Sequence, residues 1–459
     1  MKETNIIDTK DLTGKSVELF GWVANRRDHG KLIFIDLRDR TGIIQVVFSP
    51  DTPGYETAQQ LRNEWVVKIS GMISERPEKM RNPEIPTGSI ELQPTDIEVL
   101  NEGTTSPMPL DTNGYEIGED IRNEYRYLDL RRERLSRNMK ARHDGQLFIR
   151  NWLDSRGFLE IETPILTKST PEGARDYVVP SRLSHGLFYA LPQSPQQYKQ
   201  LLMVGGVEKY FQFARCFRDE DTRGDRQPEF TQLDMEISFV NREDVMTINE
   251  ELLIAFITRL YPNKKIQQVP FPRLSYTETI EKYKTDRPDL REDKNNPNLL
   301  AFCWIIDFPF FEKTDNGWTF THNPFSAPIP EHLDDLLHHH ENLGKILTTQ
   351  YDIILNGQEI GGGSIRSHNA NTLKTVFRII GIENIEESFG HILHALDAGS
   401  PPHGGIAWGW DRLMALLQNE PNIREVIAFP KTGDAQDLMM HSPSPISPKQ
   451  LKELRIKLE

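Results

Sequence analysis

The first hundred residues constrain the fold most, because hydrophobic and polar residues alternate there in five short runs. The runs are 17–23, 32–37, 43–48, 65–73 and 90–100. Alternation with a period of two is typical of strands that bury one face. A short helix is predicted over 55–64, between the third and fourth runs. Five strands with a helix in that place are the plan of an OB-fold β-barrel, although another small barrel would also fit.

The segment 101–119 separates this region from the rest of the chain. It is rich in Thr, Pro, Gly and Asn, a composition typical of a linker. We predict a barrel domain over 1–105, a hinge over 106–135 and one large domain over 136–459. The basic run Arg131–Arg134 is expected to be the solvated face of a helix.

Composition excludes several classes of protein. No run approaches 18 apolar residues, so no membrane span is predicted, and the N-terminus lacks the apolar stretch of a signal peptide. Two cysteines are too few for a disulfide framework, which makes the cytoplasm the expected compartment. The net charge of −14 argues against unspecific coating of nucleic acid, although a local basic cluster can still bind it. A metal site at His338–His340 is not expected, because no further ligands lie at metal-site spacing.

Three segments of the large domain suggest chemistry. The first is a helix predicted over 137–156 that leads into a strand over 158–162. The second, 213–234, is a predicted hairpin in which two apolar strands flank a charged turn. The third, 404–412, places glycines before a helix and an arginine at its start, where the backbone can approach a ligand. The apolar face of the first helix is expected to consist of Leu147, Ile149, Trp152 and Leu153.

In this order, the three segments resemble the three signature motifs of class II aminoacyl-tRNA synthetases. The segments 170–177, 193–199 and 358–366 narrow the resemblance to the aspartyl-tRNA synthetases of bacteria, and the match runs nearly end to end. The resemblance implies an α+β protein, with an OB-fold barrel before a catalytic domain that has an antiparallel sheet and flanking helices. It also implies a homodimer built on the first motif.

Two departures from that family stand out. Its bacterial members usually carry an inserted domain between motifs 2 and 3, and the segment 241–359 is too short to hold one. The family's His-His-Pro-Phe reads His322-Asn323-Pro324-Phe325 here. Only His322 is therefore carried over as a site residue.

The resemblance implies a ligase that activates L-aspartate with ATP and Mg²⁺ and transfers it to the 3′ end of tRNA(Asp). Arg218 and Arg412 are the implied catalytic arginines, and Phe230 would stack on adenine. The residues implied to bind aspartate are Glu172, Ser194, Gln196, Lys199, Arg218, Asp234, His322 and Arg366. Those implied to bind ATP are Arg218, Asp219, Glu220, Gln227, Phe230, Glu359, Gly409, Trp410, Asp411 and Arg412. Asp352 and Glu359 would hold Mg²⁺, because hard oxygen ligands suit that ion.

A local basic patch in the barrel domain is the predicted anticodon site, because a basic loop beside an aromatic residue suits unstacked bases. The implied residues are Arg26, Arg27, His29, Phe34, Gln45 and Lys79. A strand aromatic is more often part of a core, which is the alternative for Phe34. Charging of tRNA(Asn) as well stays open, since His29 is similar to the broader relatives and Lys79 to the stricter ones.

Each catalytic assignment has a structural alternative. Arg218 and Arg412 could instead pair with the neighbouring Asp219 and Asp411, Asp352 could be a plain ladder residue, and Lys199 a solvated helix residue. Three rival functions also remain: an asparagine-specific synthetase, a tRNA-independent enzyme that makes asparagine, and a non-catalytic nucleic-acid-binding protein. Lys199 argues against the first, the barrel domain against the second, and the retained Arg218, Glu359 and Arg412 against the third.

Overall fold

The computed structural model describes residues 2–169, 173–222, 225–315 and 317–458. The chain forms two compact units, Met1–Ser136 and Arg137–Glu459, so the segment predicted as a hinge lies in the first unit. In these described ranges, no helix is long and apolar enough to cross a membrane.

The first unit contains a closed five-stranded barrel with the strand order β1–β2–β3–β5–β4. Its strands are β1 (Ser16–His29), β2 (Leu32–Asp39), β3 (Gly42–Phe48), β4 (Val66–Glu75) and β5 (Ile90–Asn101), with helix α1 (Tyr55–Gln60) between β3 and β4. The predicted OB plan is confirmed, and α1 is shorter than expected. Alternate residues such as Ile33, Ile35 and Leu37 fill the barrel core. Strand β1 runs to His29, so most of the predicted basic loop is strand and only Gly30 and Lys31 form the turn.

The basic run before the second unit is not a solvated face, and that prediction is wrong. Two short helices, α2 (Glu119–Glu124) and α3 (Arg126–Asp129), precede it. Arg132 is 1% exposed; its Nε donates to Asp129 at 2.6 Å and its Nη2 to the Pro109 carbonyl at 2.7 Å. A buried arginine needs such partners, and here the segment before it supplies them.

The second unit is built on an eight-stranded mixed sheet with the order β12–β14–β17–β18–β19–β10–β9–β6. Its six central strands are antiparallel, and one parallel strand flanks them at each edge. The remaining strands are β6 (Leu159–Glu160), β7 (Val178–Pro180), β8 (Phe188–Ala190), β9 (Lys209–Phe217), β10 (Glu229–Ser238), β11 (Lys265–Ile266), β12 (Arg273–Ser275), β13 (Leu299–Leu300), β14 (Phe302–Ile306), β15 (Phe311–Thr314), β16 (Gly317–Phe320), β17 (Tyr351–Leu355), β18 (Gln358–Ile365) and β19 (His403–Gly409). The remaining helices are α4 (Glu133–Asp154), α5 (Gln196–Val204), α6 (Arg242–Leu260), α7 (Tyr276–Tyr283), α8 (Leu333–His338), α9 (Ala370–Ile379), α10 (Ile385–Asp397), α11 (Trp410–Leu417) and α12 (Pro448–Leu454).

Helix α4 replaces the predicted helix over 137–156 and begins earlier, at Glu133. Ile149 and Leu153 are fully buried in the main core, as expected, but Leu147 is 50% exposed. The expected apolar face is therefore wrong at Leu147, which lies on a different side of the helix from the buried pair. Strand β6 is only two residues long, shorter than the predicted strand.

Glycines allow the central strands to pack closely around a buried carboxylate. The third segment was expected to use its glycines to approach a ligand, yet Gly404 and Gly405 lie within β19. A Cβ on Gly405 would lie 2.1 Å from a Glu236 carboxylate oxygen, and one on Gly363 would lie 2.0 Å from the Gly405 carbonyl. These glycines therefore provide space for the Glu236 side chain and for the strand contact itself.

Candidate active site

A cleft of about 730 Å³ lies on the central sheet, bounded by β10, β17, β18 and β19, by the N-terminal half of α5 and by nearby loops. Fifteen of the residues predicted for catalysis, substrate binding or metal binding line it. They are Ser194, Gln196, Lys199, Arg218, Glu220, Gln227, Phe230, Asp234, His322, Asp352, Glu359, Arg366, Gly409, Asp411 and Arg412. Antiparallel pairing of β9 with β10, β10 with β19, and β17 with β18 brings together residues that are far apart in sequence.

Of the predicted residues that the structure describes, Asp219 and Trp410 are not part of this lining. Glu172 lies outside the described residues. Trp410 is fully buried in the core, where its ring packs against Phe213 and Phe256, so any contact that it makes with ATP is through its backbone. Asp219 stands beside the cleft, and its backbone N–H donates to the Arg175 carbonyl at 3.0 Å.

Four charged side chains form a buried cluster at the inner end of the cleft. The Lys199 ammonium lies 2.5 Å from Asp234 Oδ1 and 3.4 Å from Glu236 Oε2. Arg366 binds Glu236 through two parallel hydrogen bonds of 2.9 and 3.1 Å. All four residues are at most 2% exposed, so the alternative of a solvated Lys199 is wrong. The cluster holds two cations and two carboxylates, and their mutual attraction offsets part of the free-energy cost of burying the four charges.

The two carboxylates of the cluster differ in character. Burial raises the pKa of Asp234 despite its contact with Lys199, and Asp234 Oδ2 is buried without a hydrogen-bond partner. Burial alone would also raise the pKa of Glu236, but Arg366 and Lys199 overcome it and lower that pKa. Glu236 therefore stays ionised and orients both cations, while Asp234 has an oxygen free to accept a donor from a ligand.

Glu236 was missed by sequence reasoning, although a signal was present. Asp234 and Glu236 are two residues apart on a strand, so their side chains point to the same face. The two acids alternate with the apolar Leu233, Met235 and Ile237, and buried acids need cationic partners, so this pattern could have identified the pair.

Arg218 presents a planar cation to the cleft. Its guanidinium carbon lies 5.1 Å from the centre of the Phe230 ring across the β9–β10 hairpin, and its Nε is buried without a hydrogen-bond partner. Over the ranges that the structure describes, Arg218 forms no ion pair, so the alternative pairing with Asp219 is absent. Buried donors are almost always satisfied, which makes this one a site for an acceptor from a ligand.

Arg412 lies at the opposite side of the cleft, in the first turn of α11. Its Nε is 3.2 Å from Asp225 Oδ2, and its Nη1 donates to the Glu359 carbonyl at 2.6 Å. Asp411 pairs instead with Arg142 and accepts the Thr231 N–H, so the predicted alternative of an Arg412–Asp411 pair is not found. Asp411 thus has a structural role at this corner.

Other predicted ATP ligands already have partners within the protein. The Gln227 side-chain amide donates to the Lys431 carbonyl at 2.9 Å and accepts the Lys431 N–H at 2.8 Å. Glu220 lies 3.6 Å from Arg226. The ion pair of Glu220 with Arg226 is partly exposed, so it exchanges readily for a ligand. The Gln227 side chain is less available, because its N–H and its oxygen are both hydrogen-bonded to Lys431.

Asp352 and Glu359 lie on adjacent strands and flank one glycine. A Cβ on Gly362 would be 2.6 Å from Asp352 Oδ1 and 3.7 Å from Glu359 Oε1. Burial, and then the charge of Glu359, raises the pKa of Asp352. Two close carboxylates destabilise each other until a cation neutralises them, so the pair fits a divalent ion with oxygen ligands. The backbone of Asp352 pairs with the neighbouring strand, as the structural alternative predicted, but its side chain lines the cleft.

His322 and Asn323 form part of the wall. Burial lowers the pKa of His322, whose ring packs edge-on against Phe308 at 4.6 Å, so its imidazole is neutral. Asn323 Oδ1 accepts the Phe325 N–H at 2.8 Å, a turn-stabilising bond that histidine could not make in the same way. The departure from the family's motif thus has a local structural role.

The predicted anticodon residues lie on the outer face of the barrel. Phe34 is half-buried and faces away from the core, and the His29 ring stands edge-on to it at 6.4 Å. Arg26 pairs with Asp28 and Arg27 with Asp36, both at 2.8 Å. Gln45 is also on the outer face, where it donates to Glu91 at 3.2 Å, and Lys79 is exposed in a short turn. The alternative of a core Phe34 is excluded by its orientation.

Comparisons with known proteins agree with this arrangement. Residues 118–433 match the family "tRNA synthetases class II (D, K and N)", and residues 17–100 match the "OB-fold nucleic acid binding domain". A protein of Desulfatibacillum aliphaticivorans named aspartate–tRNA(Asp/Asn) ligase is 38% identical over 580 aligned positions, covering 98% of this chain and 96% of the relative. One of Staphylococcus carnosus named aspartate–tRNA ligase is 38% identical, covering 98% of each chain. The 459-residue chain leaves more than a hundred of those 580 positions empty, in agreement with the missing inserted domain.

Solved structures show the same fold at low sequence identity. The asparaginyl-tRNA synthetase of Pyrococcus horikoshii, complexed with asparaginyl-adenylate, superposes with a TM-score of 0.75 at 23% identity, covering 95% of this chain and 97% of the other. The aspartyl-tRNA synthetase of Entamoeba histolytica does so with a TM-score of 0.72 at 22% identity, covering 94% and 91%. The expected architecture, an OB-fold barrel followed by a class II catalytic domain, is confirmed.

Proposed function

The chain belongs to the class II tRNA synthetases of the D, K and N group, and on that premise we propose that it is an aspartate–tRNA ligase. In the first step the α-carboxylate of aspartate attacks the α-phosphate of ATP, and aspartyl-adenylate forms as pyrophosphate leaves. In the second step a ribose hydroxyl of the terminal adenosine of tRNA takes the aspartyl group and AMP leaves.

The buried charge cluster is the observation that carries this proposal. Lys199 and Arg366 provide donors for the side-chain carboxylate of aspartate, and the free Asp234 oxygen provides an acceptor for its ammonium group. An amino acid with both an anionic side chain and a cationic amine fits these groups. Asparagine would direct amide N–H donors at Lys199 and Arg366, which are themselves donors.

Positioning and charge neutralisation supply the catalysis, since neither step needs a protein nucleophile. Arg218 would bridge the attacking carboxylate and the α-phosphate, with its unpaired Nε among the donors. Phe230, beside Arg218, would stack on adenine, and Arg412 would hold the γ-phosphate after exchanging Asp225 for it.

Asp352 and Glu359 would hold a Mg²⁺ ion. When bound, that ion neutralises phosphate charge and fixes the conformation of the triphosphate. The mutual repulsion of the two carboxylates supports this assignment, because a bound cation removes it.

An ATP–pyrophosphate exchange assay tests the proposed function. We expect exchange that depends on aspartate and is not supported by asparagine, and charging of tRNA(Asp) when purified tRNAs are added. Parallel charging of tRNA(Asn) would assign the broader specificity. Exchange with asparagine alone would identify the asparagine-specific rival, and absence of exchange with either amino acid would overturn the proposal.

The outer face of the barrel is the proposed anticodon site. Replacing Phe34 with Ala should remove a stacking contact with a base, worth about 1–3 kcal/mol, and so lower aminoacylation about 5- to 150-fold. Pyrophosphate exchange without tRNA should stay unchanged, because Phe34 does not line the catalytic cleft. Phe48→Ala is the contrasting variant: Phe48 is fully buried in the barrel core, and its loss should reduce stability. A loss of stability in Phe34→Ala like that in Phe48→Ala would contradict the assignment.

We also propose a homodimer built on the first motif. Leu147, Leu159, Ile165 and Leu166 are each about half exposed, between 46% and 54%, on or just after α4. Exposed large aliphatic side chains in this part of the chain support an interaction surface there. Sedimentation at micromolar concentration should give twice the chain mass of 53.0 kDa, and a single 53.0 kDa species would refute the dimer.

We place the protein in the cytoplasm, because charged tRNA is used there by ribosomes. Its two cysteines are both buried and unpaired, a state that suits a reducing compartment.

A further inference from the structure

The cleft does not have an excess of positive charge with which to bind a triphosphate. Within the described ranges its lining carries six Lys or Arg side chains and seven Asp or Glu side chains. Lys199 and Arg366 are held in the buried cluster, and Arg226 and Arg412 pair with carboxylates of neighbouring loops. Among the residues that the structure describes, Arg218 has no ion pair, and the partly exposed pairs of Arg226 and Arg412 can exchange for a ligand. Arg287 is a further cation of this lining, and no role has yet been given to it.

Arg287 has only a weak ion pair. Its guanidinium lies 3.5 Å from the carboxylate of its neighbour Asp286, and 54% of its side chain is exposed. Exposed pairs of this kind contribute little and exchange readily. The Arg287 guanidinium can therefore turn to a phosphate group at small cost, and its planar fork suits phosphate oxygens.

The loop that carries Arg287 is anchored next to the acid pair Asp352 and Glu359. Leu290 packs into the hydrophobic cluster formed by Cys303 and Ile354, among others, and its carbonyl accepts the Gln267 amide at 3.0 Å. Asp289 packs on the turn between β17 and β18, where a Cβ on Gly357 would lie 3.2 Å from Asp289 Cβ.

Arg287 lines the cleft, and its loop packs against the β17–β18 turn through Asp289. Glu359 follows that turn at the start of β18, and its partner on β17, Ile354, is in the hydrophobic cluster against which Leu290 packs. We therefore place Arg287 at the end of the cleft that holds Glu359.

We propose that Arg287 binds the β- and γ-phosphates of ATP, and hence the pyrophosphate product, beside the acid pair. This inference rests on the proposed function, because it names the part of the ATP substrate that Arg287 contacts. Arg218 would contact the α-phosphate, whereas Arg287 would neutralise the leaving group as negative charge develops on it.

Kinetics of Arg287→Ala provide the first test. We expect the KM values for ATP and for pyrophosphate in the exchange reaction to rise about tenfold, the size of one lost charge-assisted hydrogen bond. The KM for aspartate should not change, and Arg287→Lys should recover part of the loss. Arg291→Ala is the matched control, because Arg291 is in the same loop but pairs with Asp289 through two hydrogen bonds and does not line the cleft.

Calorimetric binding separates the phosphate groups directly. A non-hydrolysable ATP analogue should bind Arg287→Ala about tenfold more weakly than wild type. A non-hydrolysable aspartyl-adenylate analogue, which has no β- or γ-phosphate, should bind both proteins equally. Unchanged affinity for the ATP analogue, or equal weakening of both ligands, would overturn the inference. Wild-type protein that binds the ATP analogue but lacks aspartate-dependent exchange would refute the proposed function instead, and the binding comparison would still decide the role of Arg287.

Discussion

Replacing Lys199 with Met should sharply reduce the preference for aspartate over asparagine in adenylate formation. Lys199 and Arg366 balance Asp234 and Glu236 in the buried cluster. Without the ammonium group the cluster loses one positive charge, and the carboxylate of aspartate meets fewer donors. Asparagine, which is uncharged at its side chain, is affected much less.

The magnitude follows from the chemistry of buried polar sites. A site built around a polar group rejects an analogue lacking it by about 10⁴–10⁵. A hydrogen bond to a charged group contributes about 1.5–3 kcal/mol, so the ratio of kcat/KM values should fall about 10- to 150-fold. Pyrophosphate exchange with both amino acids, on wild type and variant, measures this ratio.

Stability must be separated from selectivity in this experiment. Removing one partner of a buried ion pair costs about 3–5 kcal/mol, so part of the Lys199→Met protein can unfold. The ratio of kcat/KM values does not depend on how much enzyme is folded, which keeps the test valid. Lys452→Met, on the exposed side of α12, is the control and should leave the ratio unchanged. An unchanged ratio in Lys199→Met would mean that Lys199 does not select the amino acid.

Replacing Arg218 with Lys should lower the rate of adenylate formation by about 10²–10³. Lysine keeps the charge but lacks the planar fork, so it cannot hold the attacking carboxylate and the α-phosphate together. It also lacks the Nε donor that is buried without a partner and the flat surface that packs on Phe230. Single-turnover measurement of aspartyl-adenylate formation would report the chemical step.

Arg215→Lys is the matched control for this variant. Arg215 is on β9, three residues before Arg218, but is 42% exposed and pairs with Glu229 at 2.7 Å outside the cleft. Its replacement should leave adenylate formation within a factor of about two, since exposed ion pairs contribute little. Equal loss in the two variants would indicate general damage to the hairpin rather than a role of Arg218 in the reaction.

Local sequence patterns were sufficient to predict the strands of the barrel. The period-two runs identify all five strands, because each strand buries one face and that alternation is written directly in the chain. The motifs also indicate which loops and strands contribute to the cleft, and they identify fifteen of its lining residues. Short-range patterns of this kind need no knowledge of which strands become neighbours.

The errors concern the burial of side chains, which depends on packing that the hydrophobic pattern alone does not show. The composition of the basic run around Arg132 predicts a solvated helix face. Arg132 is instead buried, and its guanidinium donates hydrogen bonds to Asp129 and to the Pro109 carbonyl. Leu147 appears to belong to the apolar face of α4, yet it lies outside the core. Trp410 is next to the catalytic arginine in sequence, and the helix turns its ring into the core.

The amino-acid pattern alone was enough to identify the family, the order of the domains and the residue types available for the chemistry. The tertiary structure was needed to show that Glu236 orients Lys199 and Arg366, and that Arg287 lines the same cleft as Asp352. These contacts depend on the order of the strands and on the packing of the loops. The Arg366–Glu236 pair, for example, joins residues 130 positions apart. A local pattern specifies which face a side chain takes on its own strand or helix, but the partner on the next strand is set by the fold as a whole.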